Sequence, residues 1–141
     1  MNDIENAKRI LNEPGMTCVL CRGDTVYTSS KPGISPMLDY LEDGTPLCGF
    51  SAADKVVGKA AAMLFALAGV KEVFGEVMSS SALPVFAEHG ILASYTTLTG
   101  QITNRAGDGC CPMELTVCET DDLKKAEAAL RETRKRLMSK G

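Results

Sequence analysis

The apolar positions of this chain fall into short periodic segments separated by Gly, Pro and Asp. From Asn2 to Asn12, the residues Ile4, Ala7, Ile10 and Leu11 recur at helical spacing, which predicts an amphipathic helix. Glu13-Pro14-Gly15 stops it. Thr17 to Arg22 and Thr25 to Ser30 read as strands joined by Gly23-Asp24, a two-residue hairpin loop. Lys31-Pro32-Gly33 breaks the second strand, Ile34 to Leu41 reads as a short helix ended by Asp43-Gly44, and Leu47 to Phe50 is an apolar link. Ser51 with Asp54 three residues on is close to a capping box, and predicts a further helix running through Ala68 to a stop at Gly69. Lys71 to Met78 reads as a strand, followed by Ser79-Ser80-Ser81 and a helix from Ala82 to Glu88 stopped by Gly90. Ile91 to Tyr95 is a further strand, and Leu98 to Arg105 a strand or a loop beside the sheet. Pro112 opens a short helix to about Cys118. Asp121 and Asp122 open the last helix, with Leu123, Ala126, Leu130 and Leu137 as its apolar stripe.

A hairpin followed by βα alternation implies a mixed sheet with helices on its faces. The expected fold is α/β and three-layered, with about five strands and helices on both faces. At 141 residues, the chain suits one domain spanning residues 1–141. In such sheets ligands bind outside the carboxyl ends of strands, beside helix N-termini.

Charge and composition narrow the function classes. The net charge of −3 and pI of about 5.2 do not favour nucleic acid or an anionic membrane as partner. The longest apolar segment, Ala60 to Val70, is alanine-rich and reads as a buried helix rather than a membrane span. The N-terminus lacks a secretory pattern, so a cytoplasmic location with reduced thiols is expected for the six cysteines. With one histidine, His89, and no tryptophan, mechanisms needing two histidines in one subunit are excluded. Cys18 and Cys21 form a C-x-x-C, but residues three apart on a strand face opposite ways. They read as packing residues, so neither metal nor cofactor is implied.

Three places carry chemistry. Cys111 stands directly before Pro112, with Glu114 three residues on. This is a helix N-cap, where free amides acidify a thiol. Cys111 is thus a candidate nucleophile and the expected most reactive thiol, with Glu114 or Lys59 to move a proton. The structural alternative is a plain helix start in which Glu114 caps the backbone. Asp54, Lys55, Gly58 and Lys59 form a second group, read as an anion pocket of a helix start and two ammonium groups, with Gly58 permitting close approach. Alternatively Lys59 is a desolvated amine. Ser79, Ser80 and Ser81 are the third group, able to cradle an anion at a helix start or simply to cap it.

The order of elements resembles the cytidine-deaminase-like fold. The boxes Asp54-Lys55-Val56-Val57-Gly58-Lys59 and Cys111-Pro112-Met113-Glu114 are similar to those of a small uncharacterised bacterial family assigned to that fold. The resemblance spans Ile4 to about Leu137 and implies a fold, not an activity. Zinc deaminases use His-x-Glu at one helix start and Pro-Cys-x-x-Cys at the next. Here Lys59 and Ala61 stand near the histidine and glutamate positions, and Ser79-Ser80-Ser81-Ala82-Leu83 replaces the cysteine turn. The resemblance therefore implies a deaminase fold without the zinc site or its reaction.

The leading expectation is binding of a small anionic, nucleotide-like ligand in a crevice lined by Asp54, Lys55, Gly58, Lys59, Ser79, Ser80, Ser81, Cys111 and Glu114. The alternatives are a metal-independent enzyme with Cys111 as nucleophile, and a scaffold or sensor domain that works as a homo-oligomer.

Overall fold

The computed structural model describes residues 2–100 and 111–139. Its elements are α1 (Asp3–Leu11), β1 (Cys18–Arg22), β2 (Thr25–Ser29), α2 (Ser35–Asp43), β3 (Ser51–Val57), α3 (Lys59–Ala68), β4 (Glu72–Ser79), α4 (Ala82–Glu88), β5 (Leu92–Thr99), α5 (Pro112–Val117) and α6 (Leu123–Ser139). Among the described residues, five strands form one mixed sheet in the order β2-β1-β3-β4-β5. β1 pairs antiparallel with β2 and β3, while β3, β4 and β5 run parallel.

Helices cover both faces, as the alternation of β1 requires. Val19 and Cys21 face a small core with Ile4, Ala7 and Leu11 of α1, Ala53 and Phe74. Cys18 and Leu20 face the main core, which takes residues of α2, α3, α4, α5 and α6. The two cysteines of the C-x-x-C thus lie on opposite faces of the sheet, as strand periodicity demands. α1 is fixed at its start by Asn2, whose side chain accepts from the Glu5 amide at 2.9 Å. Further along, Lys8 Nζ stands 4.5 Å from the Phe74 ring centroid.

One expected element is different. Ser51 to Val57 is not the first half of a helix; it is β3, at the centre of the sheet. A central strand is covered on both faces, so it reads as a run of small apolar residues rather than an alternation. Ala52 enters the main core and Ala53 the α1 core. The β-branched pair Val56-Val57 suits the strand, and Gly58 separates it from α3. The helix proper begins at Lys59; its segment Ala60 to Phe65 is wholly buried, as suits a helix apolar all round. β5 also runs four residues beyond Tyr95, taking in Leu98 and Thr99 from the segment expected to be a strand or a loop. Residues 101–105 of that segment, and Cys110, lie outside the described residues.

Candidate functional site

The carboxyl ends of β3 and β4 lead directly into the starts of α3 and α4. Beside them lies a cleft of about 380 Å³, lined by Lys59, Ser79, Ser81, Pro84, Val85, Glu88, Gly100, Glu114, Cys118 and Asp121. This is the place where a parallel strand–helix arrangement leaves room for a ligand.

Glu114 organises one wall. It projects from the first turn of α5, and its two carboxylate oxygens accept from the backbone amides of Lys59 and Ala60, each at 2.8 Å. A side chain some 55 residues downstream therefore caps α3, and Gly58, at the N-cap, supplies no cap of its own. Gly58 has φ −104°, an ordinary extended value, so its backbone alone does not demand glycine. The demand comes from Glu114: a Cβ at Gly58 would lie inside van der Waals distance of the carboxylate.

Lys59 sends its ammonium across the cleft mouth. Its side chain is only 16% exposed; Nζ lies 3.4 Å from the Cys118 carbonyl and 3.6 Å from Asp121 Oδ1. Ser79 and Ser81 sit at the end of β4 with hydroxyls 2.8 Å apart, and the Ser81 amide donates to Ser79 Oγ at 3.2 Å.

Of the residues singled out from sequence, Lys59, Ser79, Ser81 and Glu114 line this cleft, and Gly58 shapes it from behind the carboxylate. Four others lie elsewhere. Asp54 is buried in β3, opposite Cys18 of β1, and its Oδ1 accepts from the Val56 amide at 3.3 Å. Burial pushes its carboxyl up to about 7, against the lowering pull of the Val56 and Lys55 amides and the Cys18 thiol. Burial, and then the neighbouring Asp54 charge, push the Cys18 thiol up in turn. Lys55, on the same strand, pairs with Glu76 of β4 at 2.9 Å. The shared face expected for Lys55 and Lys59 is absent because the two residues belong to different elements. Ser80 is exposed, and its amide donates to the Thr99 carbonyl at 2.8 Å.

Cys111 is the N-cap of α5, half-buried, with no side-chain cap bond, and is not among the residues lining the cleft. The thiol at the cleft is Cys118, at the other end of α5. Sequence reasoning passed over Cys118, Asp121 and Glu88. The available signal was α5's length of six residues, which puts both of its ends near whatever Glu114 touches.

Zinc does not fit this donor set. Lys59 is a cation, the β4–α4 turn offers hydroxyls in place of thiolates, and both Glu114 oxygens already accept amides. Among the described residues, no three of His, Cys, Asp and Glu converge at metal-binding range.

The fold and the cleft together define an α/β protein with a mixed five-stranded sheet, whose helix-start site is built from a carboxylate cap and a lysine. The chain belongs to the TM1506 family, a domain of unknown function (DUF1893), whose model matches residues 6–133. A crystal structure of a DUF1893 family protein (TM1506) from Thermotoga maritima is similar at a TM-score of 0.85 and 25% identity, covering 93% of this chain and 89% of that one. Lower similarity extends to a dCMP deaminase from the cyanophage S-TIM5, with TM-score 0.45, 10% identity, and 66% and 93% of the two chains covered. A diaminohydroxyphosphoribosylaminopyrimidine deaminase/5-amino-6-(5-phosphoribosylamino)uracil reductase from Thermotoga maritima gives 0.44 and 15%, covering 67% of this chain and 34% of that one. No curated protein matches the chain. Among the described residues, no helix is long and apolar enough to cross a membrane.

Proposed function

We propose that the cleft binds a small polar molecule of nucleoside size, and that it prefers an uncharged one to a phosphate-bearing one. The supporting observation is the charge of the wall. Glu88, Glu114 and Asp121 face one ammonium, Lys59. The anion site that a helix start would offer at α3 is already filled by Glu114, which takes the Lys59 and Ala60 amides. A phosphate would have to displace that carboxylate and then sit among two others. A neutral ring carrying both amino and carbonyl groups meets complementary partners instead: carboxylates for its donors, Lys59 Nζ and the serine hydroxyls for its acceptors. The volume of about 380 Å³ lies at the small end of ordinary ligand sites.

Calorimetric titration of the full chain with a pyrimidine nucleoside, its 5′-monophosphate and inorganic phosphate tests this reading. The nucleoside is expected to bind, the monophosphate to bind at least about tenfold more weakly, and phosphate not at all. Lys59→Ala is expected to abolish the nucleoside signal while leaving the thermal midpoint within a few degrees. Tighter binding of phosphate or of the monophosphate would overturn the preference; no binding of any of the three would overturn the reading itself.

A further inference from the structure

A second pocket, of about 310 Å³, is lined by Arg22, Thr25, Tyr27, Pro46 and Phe50. It lies where the turn end of the β1–β2 hairpin meets the segment between α2 and β3. Arg22 and Thr25 stand opposite each other beside the turn, and Tyr27 is two residues along from Thr25. Pairing and pleat therefore put all three side chains on one face of the hairpin. It is the face of Leu20, and so of the main core. The Arg22 guanidinium is held in place. Its Nη1 donates to the Cys48 carbonyl at 3.1 Å, and its Cζ would lie 3.7 Å from a Cβ on Gly49. That single bond engages only part of the guanidinium fork. The aromatic wall is held as well. Buried Phe50 stacks with Tyr27, centroids 5.6 Å apart and planes at 17°, and Tyr40 packs against Tyr27 at 5.8 Å. The Tyr40 hydroxyl in turn donates to the Thr28 carbonyl at 3.2 Å.

We propose that this pocket binds a small aromatic carboxylate, its carboxylate on Arg22 and its ring along Tyr27 and Pro46. The choice of ligand follows from the lining. The polar side chains, Arg22, Thr25 and Tyr27, can all donate hydrogen bonds, and among the described residues no carboxylate lines the pocket. The cleft beside α3 is the reverse, with Glu88, Glu114 and Asp121 around one ammonium. A planar guanidinium matches the two oxygens of a carboxylate with two parallel hydrogen bonds. A small anion without an apolar body leaves the wall of Tyr27, Pro46 and Phe50 unused. A neutral ring leaves the guanidinium without its counter-charge. An aromatic acid meets both, and the volume is at the small end of ordinary ligand sites. This inference does not rest on the ligand proposed for the cleft.

Titration of the isotope-labelled full chain with sodium benzoate, followed by NMR at constant ionic strength, provides the test. Benzoate is expected to shift the amides of Arg22, Thr25, Tyr27 and Phe50 to saturation, with a Kd of about 1 mM or tighter. Benzamide, acetate and inorganic phosphate are each expected to bind there at least about tenfold more weakly. Arg22→Gln is expected to weaken benzoate by at least about tenfold, while the amide spectrum keeps the dispersion of a folded chain. The contrast between benzoate and benzamide on the wild-type chain needs no variant, and decides the matter if Arg22→Gln does not fold. Benzamide, acetate or phosphate binding as tightly as benzoate, benzoate affinity unchanged in folded Arg22→Gln, shifts confined to the residues around Lys59, or shifts that do not saturate would each overturn the proposal.

Discussion

Gly58 has no room for a side chain because of what a distant helix places beside it. The clash is with the Glu114 carboxylate rather than with local backbone, so the two residues form one energetic unit. Gly58→Ala is expected to cost about 1–3 kcal/mol by overpacking, and Glu114→Ala a similar amount by leaving the α3 amides uncapped. In the double variant the alanine methyl finds the space the carboxylate vacated, so its loss should fall short of the two single losses added together. A double-mutant cycle by urea denaturation reads this coupling directly. Asp54 makes a second residue-scale case, through pH. Its folded pKa of about 7 lies above the ordinary 3.8. The unfolded chain therefore ionises first as pH rises, and stability drains between roughly pH 4 and 7, then levels off. Asp54→Asn removes that drain, so its advantage over the wild-type chain should grow from about pH 5 to about pH 8, reaching on the order of 4 kcal/mol or less. A gain that is the same at both pH values would contradict the assignment. Sequence alone marked Glu114 and Gly58 as unusual, but capping across 55 residues leaves no periodic trace, so it could not show that they touch.

At the scale of elements, the hairpin, α4 and the register of the cysteines were legible because each rests on local chemistry: Gly23-Asp24 for the turn, Gly90 after the helix, alternation for β1. β3 was not. Ser51-Ala52-Ala53-Asp54 has the residue types of a helix start, and alanine has the highest helix propensity. Burial on both faces of the sheet overrode that preference, and Val56-Val57 was the sequence signal that pointed the other way. The error carried Asp54 and Lys55 into a site they do not share. Another element-scale link joins α6 to α2. Arg134 reaches Asp39 at 2.9 Å, Glu42 at 3.6 Å and the Ser35 carbonyl at 3.5 Å. Lys31 foremost, then Arg134, holds the Asp39 carboxyl below its ordinary range. Arg134→Ala is expected to cost about 1 kcal/mol, less in high salt and less again as acid protonates Asp39, because a lowered folded pKa gives stability that is lost as pH falls through it. Thermal midpoints at two ionic strengths check the first effect.

For the molecule as a whole, thiol access gives a simple test of the arrangement. Cys48 and Cys118 are exposed, Cys111 is half-buried, and Cys18 and Cys21 are buried on opposite faces of the sheet. Limiting alkylation followed by peptide mapping should label Cys48 and Cys118 ahead of Cys111, and Cys18 and Cys21 only on unfolding. Early labelling of Cys18 would mean that the β1–β3 seam opens in the native state. The grip of Glu114 on α3 also has a consequence for synthesis. A chain leaving the ribosome presents β1 to β5, with α3 already among them, before the helix that caps it has emerged. Until α5 arrives, the first amides of α3 stay open at the centre of the nascent sheet. A chain stalled with its emerged part ending at Gly100 should therefore carry a frayed α3, readily cut by protease near Lys59. The same region should become resistant once Glu114 has cleared the exit tunnel, so that a later stretch of the message completes a helix encoded well before it.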